Sequence, residues 1–190
     1  VITFKKPDLI KIEWTSSFGG MKEPFVLWSN KKGTFTFNQL LNQVRTETSL
    51  QQAIQSWTGV SGGSVRHVPC MLLSVMSGPE FNDLTDLKYD QTESIGGTVC
   101  HMISGKRRGQ PITLWIGQKD SLLRKITAST PFGDGVEVHE NIKLNDTLED
   151  SSVSFSPPAN AEQVERFDHK KLKTSAQQPP SPYAKPGAAE

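Results

Sequence analysis

Leu84 to Leu144 reads L-T-D-L-K-Y-D-Q-T-E-S-I-G-G-T-V-C-H-M-I-S-G-K-R-R-G-Q-P-I-T-L-W-I-G-Q-K-D-S-L-L-R-K-I-T-A-S-T-P-F-G-D-G-V-E-V-H-E-N-I-K-L. Short β-rich runs follow one another here, separated by Gly96-Gly97, Ser104 to Gly109, Gly117 to Asp120 and Phe132 to Gly135. Turn residues at this spacing, with no helical periodicity between them, predict consecutive antiparallel strands. The side chains of a strand alternate between two faces. Ile112, Leu114 and Ile116 therefore share a face opposite Thr113 and Trp115. Val136, Val138, Ile142 and Leu144 likewise stand opposite Glu137, His139, Asn141 and Lys143. One face of the predicted sheet is apolar, and the rest of the chain must cover it.

Composition narrows what the chain does. Its 190 residues suffice for one domain with a sizeable core. A formal net charge of +1 provides no broad basic field, so nucleic acid is not expected as a partner. No apolar run reaches the roughly 18 residues that a transmembrane helix needs. Val1 stands inside a strand-like run, so the chain is expected to have been cut or processed at its N-terminus, and the lack of a signal segment is uninformative about compartment. Cys70 and Cys100 lack C-x-x-C spacing, and His67, His101, His139 and His169 are scattered, so no zinc pattern is read. The two cysteines are either small buried residues or one bridge.

Before the central stretch, Ile10, Ile12 and Trp14 alternate with Lys11 and Glu13, which predicts a half-buried strand. Pro7-Asp8 sets Val1 to Lys6 apart as a separate strand or a bent extension. Pro24 to Ser29 and Thr34 to Phe37 are expected to pair as a hairpin about Asn30 to Gly33. The strand pattern then breaks. Ser49 caps a predicted short helix, Leu50 to Trp57, in which Leu50, Ala53, Ile54 and Trp57 share a face. The Gly-rich Thr58 to Ser64 has no Walker lysine and no βαβ context, so it is a link, with Ser64 as the cap of a following helix. Val65 to Met76 is apolar nearly all round, and Pro69 either kinks it or marks its first turn. After Leu144 a final strand is expected over Val153 to Val164, ended by Pro157-Pro158. From Asp168 the prolines recur and little is left to bury, which predicts a disordered tail over 168–190.

A search for chemistry finds no catalytic set. Asp83, Asp86 and Asp90 bracket a strand start, where solvated acids are the common case. Glu140 shares the apolar face of its strand, with an edge position or Arg124 as the expected remedy. Lys106-Arg107-Arg108 reads as a hairpin tip, exposed or set against a lipid headgroup or partner. Cys100 and His101 are strand neighbours that point to opposite faces, so they cannot act together. No nucleophile has a base, and neither a metal set nor a cofactor motif is found. The expectation is a protein that is not an enzyme and needs no cofactor.

The opening F-K-K-P-D-L-I-K-I-E-W (Phe4 to Trp14) resembles the strand signature of the bacterial lipoprotein-carrier superfamily, the LolA/LolB-like periplasmic proteins. The ending F-S-P-P-A-N-A-E-Q-V (Phe155 to Val164) is similar to its closing strand, and L-W-I-G-Q-K-D-S-L-L-R-K-I (Leu114 to Ile126) resembles its paired strands and turn. The helical insert with G-V-S-G-G-S and P-C-M-L-L is most similar to an uncharacterised periplasmic branch of the group. The superfamily's N-terminal helix and first strands have no counterpart here, and no position matches its cavity-lid arginine. The resemblance spans roughly Val1 to Val164 of the pattern read above. It implies a mainly β fold with a helical insert: an incomplete, curved antiparallel barrel over 1–167 whose helices plug the concave face. It also implies the periplasm or cell envelope as location.

Taken together, these readings predict a curved antiparallel sheet of roughly seven to ten strands. Its expected cavity is lined by Ile10, Ile12, Trp14, Leu27, Phe35, Phe37, Leu114, Ile116, Val136 and Val138, faced by Ile54, Trp57, Met71, Leu72, Val75 and Met76. Flexible Met71, Met76 and Met102 suit a ligand of little fixed shape. The expected ligand is the acyl chain of a lipid or lipoprotein, which the protein holds and in the carrier reading transfers. Alternatively the helix simply fills the core, and the same fold serves as an envelope sensor, regulatory or protein-interaction domain.

Overall fold

Alternation at the N-terminus folds as a sheet of its own. The computed structural model describes residues 1–18, 21–59, 61, 63, 65–73, 76, 81, 83–130, 133–144 and 147–173. Within them run β1 (Ile2–Lys5), β2 (Leu9–Phe18), β3 (Met21–Asn30), β4 (Gly33–Asn38) and β5 (Gln43–Glu47), then helices α1 (Leu50–Thr58) and α2 (His67–Leu72). The central stretch supplies β6 (Leu84–Ile95), β7 (Thr98–Arg107), β8 (Gln110–Gly117), β9 (Leu123–Thr130) and β10 (Gly133–Val138). A 3-10 turn (Asp150–Val153), β11 (Glu162–Val164) and the one-turn α3 (Lys170–Lys173) follow.

The fold is mainly β, as expected, but the strands form two sheets rather than one, and neither closes into a barrel. The first has the order β1-β2-β3-β4-β5-β11 and the second β10-β9-β8-β7-β6. The break falls at the helical insert for a simple reason. A continuous sheet would have to add β6 to the free edge of β5, and β11 occupies that edge in parallel pairing. All the other pairs are antiparallel. The final strand is shorter than predicted, because Pro157 and Pro158 lack the amide protons a ladder requires. The tail expected from Asp168 lies, beyond residue 173, outside the described residues.

Register decides which side chains are inside. The β3–β4 hairpin turns through Lys31-Lys32 with Asn30 opposite Gly33, so Leu27 meets Thr36 and Val26 meets Phe37. Ile10, Ile12, Trp14, Phe25 and Leu27 thereby share a face with Thr34, Thr36 and Asn38. Phe35 and Phe37 lie on the other face with Val26, Trp28 and Val44. The expectation that Phe35 and Phe37 line the same cavity as Ile12 and Leu27 is therefore corrected; it would need a one-residue slip. Both faces are covered. The second is closed by Phe155, whose ring centroid is 5.2 Å from Trp28 and 5.4 Å from Phe37, and by Ala161.

The first face is covered by α1. Ser49 caps it, its Oγ accepting from Gln52 N at 3.2 Å, and Leu50, Ala53, Ile54 and Trp57 face the sheet as the period predicts. Trp57 stacks among Trp14, Phe25 and Phe167 and donates from Nε1 to Thr36 Oγ1 at 3.3 Å. That bond explains a buried threonine on an otherwise apolar face. α2 is shorter than the predicted Val65 to Met76, with Pro69 in its first turn, where the missing amide proton is harmless. Val65, Cys70, Leu73 and Met76 complete the same core. Ile54 is fully buried there, so Ile54→Ala is expected to lower stability by about 2–5 kcal/mol, read from the urea midpoint.

In the second sheet, Gly96-Gly97 and Arg108-Gly109 form two-residue turns with positive φ at both positions, the geometry that matches strand twist. Ile112, Leu114 and Ile126 form its buried core, with Ile116, Leu123, Ala128, Leu84 and Phe81 packed against them. Cys100 and Cys70 are both buried and form no disulfide.

Candidate functional site

The apolar face of the second sheet is only half covered. Registers across β6 to β9 place Val99, Ile103, Leu114, Ile116, Ile126 and Ala128 on one face, with Tyr89 opposite Ile103. At the β8–β9 end that face is sealed, with Ile112, Leu114 and Ile126 exposed by 4%, 7% and 2%. At the β6–β7 end Leu87, Tyr89 and Val99 are exposed by 56%, 55% and 48%. A bulge makes room for Leu87. Asp86 takes a positive φ of 54°, and a Cβ on Gly105 would stand 2.8 Å from Leu87 Cδ2 and 2.9 Å from the Thr85 carbonyl oxygen. Only glycine lets that leucine lie flat over β7.

The side chains expected to line one cavity are divided by this architecture. Ile10, Ile12, Trp14, Leu27, Ile54, Trp57 and Met76 pack together in the core of the first sheet. Phe35 and Phe37 are on that sheet's far face, and Leu114 and Ile116 belong to the second sheet's cluster. Met71 and Leu72 are exposed on α2. Val75 lies outside the described residues. Val136 and Val138 were expected inside and are instead 65% and 46% exposed on the edge strand β10. Their neighbours Glu137 and His139 take the inner face, because they find partners there.

Those partners form a buried polar cluster. Glu137, directly opposite Ile126, accepts from His67 Nδ1 of α2 at 2.6 Å and from His139 Nε2 at 2.7 Å. His139 Nδ1 donates to the Leu123 carbonyl at 2.9 Å. Arg124 lies beside His139 and is paired with Asp120, while its Nη1 is buried without an acceptor. Of the two readings for Glu140, an edge position or Arg124 as partner, the structure fits the first: it is exposed just past the edge strand β10. Burial pushes the Glu137 carboxyl up, but the hydrogen bonds from His139 and His67 and their charges outweigh it and hold Glu137 at about 2. Burial pushes His139 down, yet its bonds to Glu137 and Leu123 and the carboxylate charge raise it overall, with Arg124 opposing. The sign follows by linkage. A lowered Glu stabilises above its unfolded value of 4.5, and a raised His stabilises below its unfolded 6.5, so the cluster contributes most between them. The sequence carried one signal for it: Glu137 and His139 are two apart on a strand and so share a face. Among the described residues no set of His, Cys, Asp and Glu is arranged to hold a metal ion.

The chain is similar to the crystal structure of the Mycobacterium tuberculosis lipoprotein LppX, at 16% identity over 73% of this chain and 78% of that one, with a TM-score of 0.40. No curated protein matches it. Residues 39–166, well over half of the chain, match the family described as "Predicted periplasmic protein (DUF2092)". The periplasmic branch indicated by the sequence resemblance is borne out: the chain belongs to this family, and its place is the periplasm or cell envelope.

Proposed function

We propose that the protein is a non-enzymatic envelope protein that binds the acyl chains of lipids or lipoproteins along the uncovered half of the second sheet's apolar face. The observation that carries this reading is the gradient on that face, from fully buried Ile126 to half-exposed Leu87, Tyr89 and Val99. Exposed apolar patches mark binding surfaces; Leu87, Tyr89 and Ile103 adjoin in one, and His101 and Thr92 stand between it and Val99. Each methylene removed from water contributes about 0.8 kcal/mol before ordering costs, so chain length sets affinity.

Binding of palmitic acid, followed by native mass spectrometry and fluorescent-probe displacement, tests the proposal. Leu87→Glu and Tyr89→Glu replace exposed side chains of β6, so circular dichroism should remain that of the wild type while affinity falls about tenfold or more through an unpaired carboxylate in the acyl path. Wild-type affinity in both folded variants would remove this site. A wild-type protein that takes up no fatty acid or lipopeptide, yet captures an envelope protein, would replace lipid binding by an interaction role for the same surface.

A further inference from the structure

We propose that His67, Glu137 and His139 form a proton-operated latch that holds α2 against the edge of the second sheet and releases it as His139 loses its proton. Both ring nitrogens of His139 face acceptors, the Glu137 carboxylate at 2.7 Å and the Leu123 carbonyl at 2.9 Å. Only the imidazolium satisfies both. In the neutral ring one nitrogen presents a lone pair to an oxygen, and a bond to Glu137 or to Leu123 is lost. In either case Glu137 is then a largely buried carboxylate, its side chain 15% exposed, that has lost the positive charge of its His139 partner. Its stable response is to turn toward water, and His67 on α2 loses its acceptor when it does.

The charged groups around the latch all bear on the same proton. Arg124 on β9 stands beside His139 and disfavours its positive charge, and Asp120 in the β8–β9 turn partly neutralises Arg124. From the α2 side His67 itself faces Glu137, with the Phe81 ring 6.4 Å from its own. Glu137 is thus the only carboxylate between the two imidazoles among the described residues. Residue Ile126, directly across from Glu137, is where the sealed half of the apolar face begins. Release of α2 loosens that end of the sheet whether or not a lipid is bound.

Cys70 reports on the latch. It is buried on α2 three residues after His67, and Cys100, fully buried in β7, serves as an internal control. The full chain, without lipid, is alkylated with N-ethylmaleimide from about pH 5.5 to about pH 8.5, a range that brackets histidine titration. Each rate is divided by that of the same thiol in denatured protein at the same pH, which removes thiolate chemistry. The expected result is a normalised Cys70 rate that rises about tenfold across the range while Cys100 stays constant, a change equal to about 1.4 kcal/mol in the opening equilibrium. Glu137→Gln should label Cys70 at the alkaline rate throughout, and His139→Gln should flatten the profile in the same way if the first variant fails to fold. A flat wild-type Cys70 profile overturns the latch, as does a parallel rise of Cys70 and Cys100, which would mean global opening. Because no lipid is present, failure here is distinct from failure of acyl binding.

Discussion

Leu114→Glu is expected to unfold the second sheet at neutral pH. Leu114 is 7% exposed between Ile112 and Ile116 on β8, opposite Ile103 on one side and Ile126 on the other. Losing its packing costs about 2–5 kcal/mol by itself, and an unpaired carboxylate among isoleucines adds its desolvation. Against the about 5–15 kcal/mol that holds a typical domain, the sum is a large fraction. The loss has a pH signature. Burial raises the carboxyl's pKa above the unfolded glutamate value of about 4.3, so the penalty develops above that pH and shrinks as the group protonates below it. The urea midpoint should therefore lie nearer that of the wild type at about pH 4, where only the packing loss remains, than at about pH 7. Equal destabilisation at both pH values would show that packing, not charge, dominates at this position.

Glu137→Ala is expected to cost about 3 kcal/mol in mildly acidic solution, the low end for removing one partner of a buried ion pair. The low end applies because Glu137 and His139 retain 15% and 13% side-chain exposure. The variant leaves His139 and Arg124 adjacent with no carboxylate between the two imidazoles. Its sign differs from that of Leu114→Glu. The wild-type cluster stabilises above the unfolded carboxyl value of 4.5 and below the unfolded imidazole value of 6.5, so the deficit is greatest between them and fades as pH rises through the raised His139 value. A deficit that grows from about pH 6 to about pH 9 would contradict the ionic account of this cluster.

The strands and their hairpins were legible in the sequence because turn chemistry and period-two alternation are local. Gly96-Gly97 and Asn30 to Gly33 became tight turns where expected. Likewise Ser49 and the Leu50-Ala53-Ile54-Trp57 face placed α1 within a residue. The faces themselves were harder to assign. Alternation says that two sides differ but not which one is buried, and in β10 the polar side is buried because His67, some 70 residues away, completes Glu137. A second ambiguity lay in T-F-T-F (Thr34 to Phe37). Phe37, Thr34 and Thr36 are buried there and Phe35 is half-buried, since α1 covers one side of β4 and Phe155 the other. The division into two sheets depended on β11 taking the edge of β5, a contact between residues 43 and 162 that no local pattern encodes. The exposed half of the site lay in the quoted stretch, yet Leu87 was hidden by the bulge at Asp86, which breaks the alternation it would otherwise show.

That bulge also governs how the molecule behaves in a crowd of its own copies. β6 is the outermost strand of its sheet, and a flat edge twelve residues long with Leu87 and Tyr89 beside it would template the addition of further strands. Register shifts between Thr85 and Lys88 and between Tyr89 and Gln91 bend the ladder out of line twice, and Asp86, Lys88, Asp90 and Glu93 set charges along it. A second copy approaching edge-on meets a kinked, charged rim, whereas a narrow, flexible hydrocarbon approaching the face meets no such barrier. The same irregularity that presents an apolar surface to solvent thereby disfavours the addition of further strands at this edge.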